Sequence, residues 1–96
     1  MLVWIVYDIT RNKPRRHIVK ALKKNGIRRI QKSVFLGNIE KSRLDELFLE
    51  IKDIIFDSSD SVYFLPVSKD EIENIKTIGE EFDKKIIMDI KNEIIL

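Results

Sequence analysis

Residues 2–6 read LVWIV, a run of large apolar side chains with no polar residue between them. A strand with one wet face alternates apolar and polar residues. An unbroken run rich in β-branched and aromatic residues instead fits a strand buried on both faces. The run is followed by Tyr7, a lone acid at Asp8, and a turn that leads into a basic segment. A strand covered on both sides must lie inside a sheet, so the rest of the chain has to supply its neighbours and its covering layers.

The following segments predict those neighbours. Asn12 can cap a helix that carries Pro14 in its first turn, where a missing N–H does no harm. Ile18, Ala21 and Leu22 form the buried stripe of that helix, and Gly26 suits the left-handed residue that ends it. IRRIQKSVFLGN predicts two short strands, residues 27–31 and 33–36, around a tight turn. Ser42 and Asp45 have capping-box spacing, and Leu44, Leu47, Phe48, Ile51, Ile54 and Ile55 then follow helical periodicity to about residue 56. DSSD predicts a turn, SVYFLPV a strand with Pro66 near its end, and Ser68 with Glu71 a capping box for a short helix stopped by Gly79. In the tail KKIIMDIKNEIIL, Ile86, Met88 and Ile90 alternate, which predicts a final strand.

The order β-α-β-β-α-β is that of an α+β, ferredoxin-like fold: an antiparallel sheet with both long helices on one face, here followed by a short helix and an extra C-terminal strand. The expected organisation is a single domain over residues 1–96, with a core of about 1–78. A strand segment at about 84–96 is then exchanged with, or packed on, a partner. Such a sheet leaves its second face bare, yet that face is apolar here. A second copy of the chain is the simplest cover, and the expected state is a homodimer.

With 96 residues and no apolar run long enough to cross a bilayer, the chain is expected to be cytoplasmic, without a signal peptide and without a membrane partner. Cysteine is absent and His17 is the only histidine, so thiolate and zinc-finger sites are excluded and any metal must bind oxygen. The net charge of +2 hides an asymmetry. Residues 1–43 carry 12 basic and 2 acidic side chains, residues 44–96 carry 6 basic and 14 acidic ones. A polyanion is the natural partner of the first half.

Asp8 is the position with most to say about chemistry. It either accepts turn hydrogen bonds at the end of its strand or serves as a metal ligand there. One carboxylate holds magnesium poorly, and a symmetric dimer would supply a second. Arg15, Arg16, Lys20, Lys24, Arg28 and Arg29, with neighbouring cations, form a surface almost free of acids, which suits phosphates better than a merely solvated face does. His17 reads either as an acid–base group or as an ordinary helical residue. Phe35 reads as core or as a support beneath a nucleic-acid strand. Asp45, Glu46, Glu50, Asp53 and Asp57 read as the solvated or docking face of the second helix.

YDI at the end of the first strand, the Arg-rich helix with Leu22 and Gly26, and the spacing R-x-Q-x-S-V-F-x-G in RRIQKSVFLG together resemble the CRISPR-associated Cas2 family, the small subunit of the spacer-adaptation complex. The likeness covers most of the chain, and its specificity lies in the combination. It implies a ferredoxin-like homodimer whose paired aspartates, here Asp8, bind Mg2+ or Mn2+ and are catalytic in members that cut. It implies partnership with the CRISPR integrase subunit in acquiring spacers, and binding of double-stranded DNA, with endonuclease activity on single-stranded RNA or double-stranded DNA in some members. By motif match, Arg15 or Arg16 and Arg29 contact nucleic acid and Phe35 lies near the active site, with Tyr7 and His17 as further candidates for its support. The second basic residue typical of the first helix falls near His17, a departure from the pattern. Two further readings compete: a stand-alone toxin-type endoribonuclease of the same fold, and a non-enzymatic ferredoxin-like binding module.

Overall fold

The first strand, β1 (Leu2–Asp8), is paired on both sides, as its unbroken apolar run requires. The computed structural model describes residues 1–56, 58–79 and 84–95. After β1 come α1 (Asn12–Lys24), β2 (Arg28–Gln31), β3 (Val34–Asn38), α2 (Lys41–Ile54), β4 (Ser61–Val67), α3 (Lys69–Glu73) and α4 (Lys84–Ile95). The strands form one sheet in the order β2-β3-β1-β4, every neighbouring pair antiparallel. This is the ferredoxin-like topology that the element order predicts.

Alternation along β1 divides its side chains between two cores. Val3, Ile5 and Tyr7 face α1 and α2, where they meet Ile18, Leu22, Leu47 and Ile51. Leu2 and Trp4 belong to a second cluster on the opposite face, with Ile30 and Leu36 of the sheet and Ile72, Ile87 and Ile90 of α3 and α4. β4 is an edge strand, which is where Pro66, lacking an N–H, is tolerated. Gly37 in β3 is fixed by packing: a Cβ there would lie 2.9 Å from the Ile27 Cα, so the β2 entry could not approach β3 with any larger residue.

The structure corrects several expectations. The tail is a helix, not a strand: Ile87 and Ile90 are buried while Met88 is 53% exposed, a spacing of three that suits a helical stripe. Alternation of Ile86, Met88 and Ile90 is a weaker pattern than the stripe that adds Ile87. This helix lies on its own sheet, so the face expected to be bare is covered from within the chain over β2, β3 and the start of β1. The proposed exchange boundary near Phe82, and Leu96 at the tail's end, lie outside the described residues, as does Asp57 of the acidic set.

Helix starts also differ in detail. α1 begins at Asn12 itself with Arg11 as N-cap, and α2 is capped by Glu40, so the Ser42–Asp45 spacing does not form a capping box. The Ser68–Glu71 box is present in both directions: Ser68 N–H donates to Glu71 Oε1 at 2.9 Å, and Glu71 N–H to Ser68 Oγ at 3.1 Å. The helix it starts ends at Glu73, well before Gly79. Gly26, with φ +76°, does end the α1 turn as a left-handed residue. The β2–β3 turn is one residue longer than expected: Gln31 lies opposite Val34, so Ser33 joins Lys32 in the turn and β3 begins at Val34.

Candidate nucleic-acid interface

One face of α1, from Arg15 to Lys23, forms one wall of an open cleft of about 940 Å3, and the β2–β3 hairpin forms the other. Tyr7, Asp8, Ile9 and Thr10 run along its floor. Arg15, Arg16, Lys20 and Lys23 enter it from α1, and Arg29, Lys32 and Ser33 from the hairpin. Residues 16, 20 and 23 follow i, i+4, i+7 spacing, which aligns their side chains on one helix face. Six cations therefore surround a single carboxylate.

Local chemistry sets each position. Asp8 is exposed where β1 ends opposite Ser61, and its carboxylate makes no hydrogen bond among the described residues. Arg15 is held across the β1–α1 junction, with Nη1 donating to the Ile9 carbonyl at 3.5 Å and Nη2 to Asn12 Oδ1. The buried Tyr7 donates its hydroxyl to the Lys32 carbonyl at 3.3 Å, tying β1 to the hairpin tip. Arg29 lies over the Phe35 ring, 5.2 Å from its centroid, and Phe35 sits 6.1 Å from the Tyr7 ring. The first turn of α1 holds no acid of its own to offset the positive end of its dipole.

The structure brings Tyr7, Asp8, Arg15, Arg16, Lys20 and Arg29 into this cleft. It does not bring in Lys24, Arg28 or His17. Arg28 points to the opposite face, with Nη1 3.4 Å from Asp89 Oδ2 of α4, because strand alternation places it on the other side from Arg29. His17 and Lys24 are exposed on α1 outside the cleft lining. Phe35 is fully buried, so it supports the Arg29 wall from below and offers no ring surface to a ligand. Sequence reasoning missed Thr10 and Ser33, whose hydroxyls flank Asp8 and Lys32 along the chain. Each follows the end of a strand or a hairpin residue, the only signal that could have found them.

The described residues of one chain gather no cluster of metal-binding side chains. No group of three or more acidic or histidine side chains that could hold an ion occurs among the described residues. Asp8, exposed and unbonded, fits the part of half a site that a second copy would complete.

These features define a ferredoxin-like α+β protein with a cation-walled cleft at the carboxyl end of its central strand. The family model described as CRISPR associated protein Cas2 matches residues 1–75, and the chain belongs to that family. It is 34% identical over 79 residues to the CRISPR-associated endoribonuclease Cas2 2 of Pyrobaculum aerophilum, covering 82% of this chain and 87% of that protein. It is 32% identical over 78 residues to the CRISPR-associated endoribonuclease Cas2 of Desulforudis audaxviator, covering 81% and 74%. Among solved structures, a Cas2 crystal structure superposes with a TM-score of 0.63 at 28% identity over 84% of this chain and 88% of that one. A hypothetical protein from Thermus thermophilus shares the fold with a TM-score of 0.71 at 24% identity, covering 82% and 90%. The family match ends before α4. No helix among the described residues is long and apolar enough to span a membrane.

Proposed function

We propose that this chain is a nucleic-acid-binding homodimer that acts with the CRISPR integrase subunit in acquiring spacers, and that it is a divalent-metal-dependent endonuclease. The observation that carries this reading is the cleft itself, in which six cations and one unbonded carboxylate converge at the end of β1. Phosphates of a bound strand are held by the guanidinium forks of Arg15, Arg16 and Arg29 and by the ammonium groups of Lys20, Lys23 and Lys32. Two Asp8 carboxylates, one from each copy, would hold Mg2+ or Mn2+. When bound, such an ion supplies an activated water and neutralises charge developing on the phosphate. Arg15, fixed by Ile9 and Asn12, and Arg29, fixed over Phe35, orient the phosphate beside that position without large rearrangement.

Relatives named endoribonucleases favour RNA as the substrate that is cut, while the six cations lining one open cleft also suit the phosphates of double-stranded DNA. The test is cleavage of both substrates in magnesium by wild type and by Asp8→Asn. Because the carboxylate makes no described hydrogen bond, the substitution should abolish cleavage and leave the melting temperature unchanged. Cleavage that persists in highly purified Asp8→Asn would remove Asp8 from the site.

A further inference from the structure

The ion pair between the partly exposed Arg11 and the buried Asp60 lies outside the cleft lining but next to Asp8 on both chain segments. Arg11 Nη2 donates to Asp60 Oδ2 at 2.9 Å, and the Asp60 side chain is fully buried. The same oxygen accepts the Phe56 N–H at 2.9 Å, and the Arg11 guanidinium carbon lies over the Phe56 ring, 3.5 Å from its centroid. Arg11 Nε and Asp60 Oδ1 are also buried, and neither has a partner among the described residues. A pair with one buried partner that leaves a donor and an acceptor unused contributes less than its geometry allows, and well-packed apolar residues of the same volume often serve stability as well. Its place in the fold suggests a different use.

Asp8 is paired in register with Ser61, the residue after Asp60, and Arg11 lies three residues beyond Asp8 as the N-cap of α1. The ion pair therefore ties the chain leaving Asp8 to the chain entering its strand partner. Asp8 has no side-chain bond of its own among the described residues, so its carboxylate is only as fixed as the backbone that carries it. We infer that Arg11 and Asp60 are positioning residues, which lock the β1–α1 junction and so hold the Asp8 carboxylate in place in the cleft. The inference rests on reading Asp8 as the functional carboxylate, and it assigns the pair no contact with nucleic acid.

Replacing one partner alone strands the other charge and risks unfolding, so the deciding variant is the double replacement Arg11→Met with Asp60→Leu, which keeps volume and removes both charges. Three readouts are taken on the full chain: thermal melting, amide hydrogen exchange at residues 8–10, and cleavage kinetics in magnesium. The expected result is a melt close to wild type, exchange at residues 8–10 faster by about tenfold or more, and a fall in kcat of similar size with KM unchanged. Arg11→Lys keeps the charge but loses the planar fork on Phe56, and should fall between the two. Exchange at residues 8–10 that matches wild type in a normally melting double variant would overturn the positioning role, whatever the kinetics. Faster exchange with unchanged kcat would overturn its link to Asp8 chemistry. If wild type itself does not cleave, the nuclease reading fails, and the exchange result still decides whether the pair locks the junction.

Discussion

Asp8 and Asp60 carry the same group into opposite surroundings, and the difference sets what each can do. Asp8 is left exposed at a strand end, available to a ligand, whereas Asp60 is buried against a guanidinium and a backbone donor. The Phe56 N–H, and after it the Arg11 side chain, hold the Asp60 carboxyl below the ordinary aspartate value of 3.8, against the opposing effect of burial. A carboxyl whose folded value is depressed contributes stability that is fully present above its unfolded value and is lost as pH falls through the folded one. The gap in Tm between wild type and Asp60→Asn should therefore stay constant from neutral pH down to about pH 5 and narrow below the ordinary aspartate value. Melting curves of the two proteins that run parallel into acid would show that the bonded carboxylate adds nothing. Glu71 shifts in the same direction through the Ser68 N–H and hydroxyl, but it is present in both proteins and cancels from the difference.

At the scale of elements, what was legible depended on how many independent signals agreed. β1 and β4 were readable because composition, length and flanking turns all said strand, and β4 spans the residues of SVYFLPV. α1 was readable for the same reason, and half of the cleft partly so: Arg16 and Lys20 were named, but Lys23, which shares their helix face, enters the cleft in place of Lys24. If that face binds phosphates, replacing the three by Ala should make the log affinity for duplex DNA against log salt shallower by about 2 to 3, since each contact contributes roughly 0.9. Lys24→Ala, outside the cleft lining, should leave the slope nearly unchanged, and equal effects from both variants would point to a diffuse charged surface. The far wall was only half legible: a two-fold period places Arg28 and Arg29 on opposite faces, but which one meets the cleft depends on the β2–β3 register. The tail was misread because Ile86, Met88 and Ile90 alternate while Ile87 and Ile90 also make a helical stripe, and only the presence of a sheet face to cover decides between them. The two readings separate by mutation. Ile90→Ala should cost about 2–4 kcal/mol of stability and Met88→Ala less than about 0.5, whereas a strand would make both side chains count equally.

For the whole molecule the open question is what meets the parts of the sheet that α3 and α4 leave uncovered. Their cluster takes in Leu2, Ile30 and Leu36, with Trp4 and Val67 packed against it, but leaves out the rest of β4, where Tyr63 is 57% and Leu65 48% exposed opposite Val6 and Trp4. Two large apolar side chains open to water on an edge strand are an uncommon arrangement for a strand that stays alone. A second copy seated there would bury them, and the need for a second Asp8 carboxylate gives the same pairing a functional reason. We therefore expect wild type to sediment as a dimer at micromolar concentration. Leu65→Glu, on a residue that supports no core contact within its own chain, should sediment as a monomer with an unchanged far-ultraviolet spectrum. The monomer still owns its whole basic cleft, so its affinity for duplex DNA per chain should fall only by the loss of the second binding surface, while magnesium-dependent cleavage, which in the proposed site takes both carboxylates, should disappear. A wild-type monomer would mean that α3 and α4 cover enough of the sheet for the chain to stand alone, and Asp8 would then have no second carboxylate with which to hold an ion. A Leu65→Glu monomer that cuts as well as wild type would separate the two ideas, leaving the dimer intact and removing the shared metal from it.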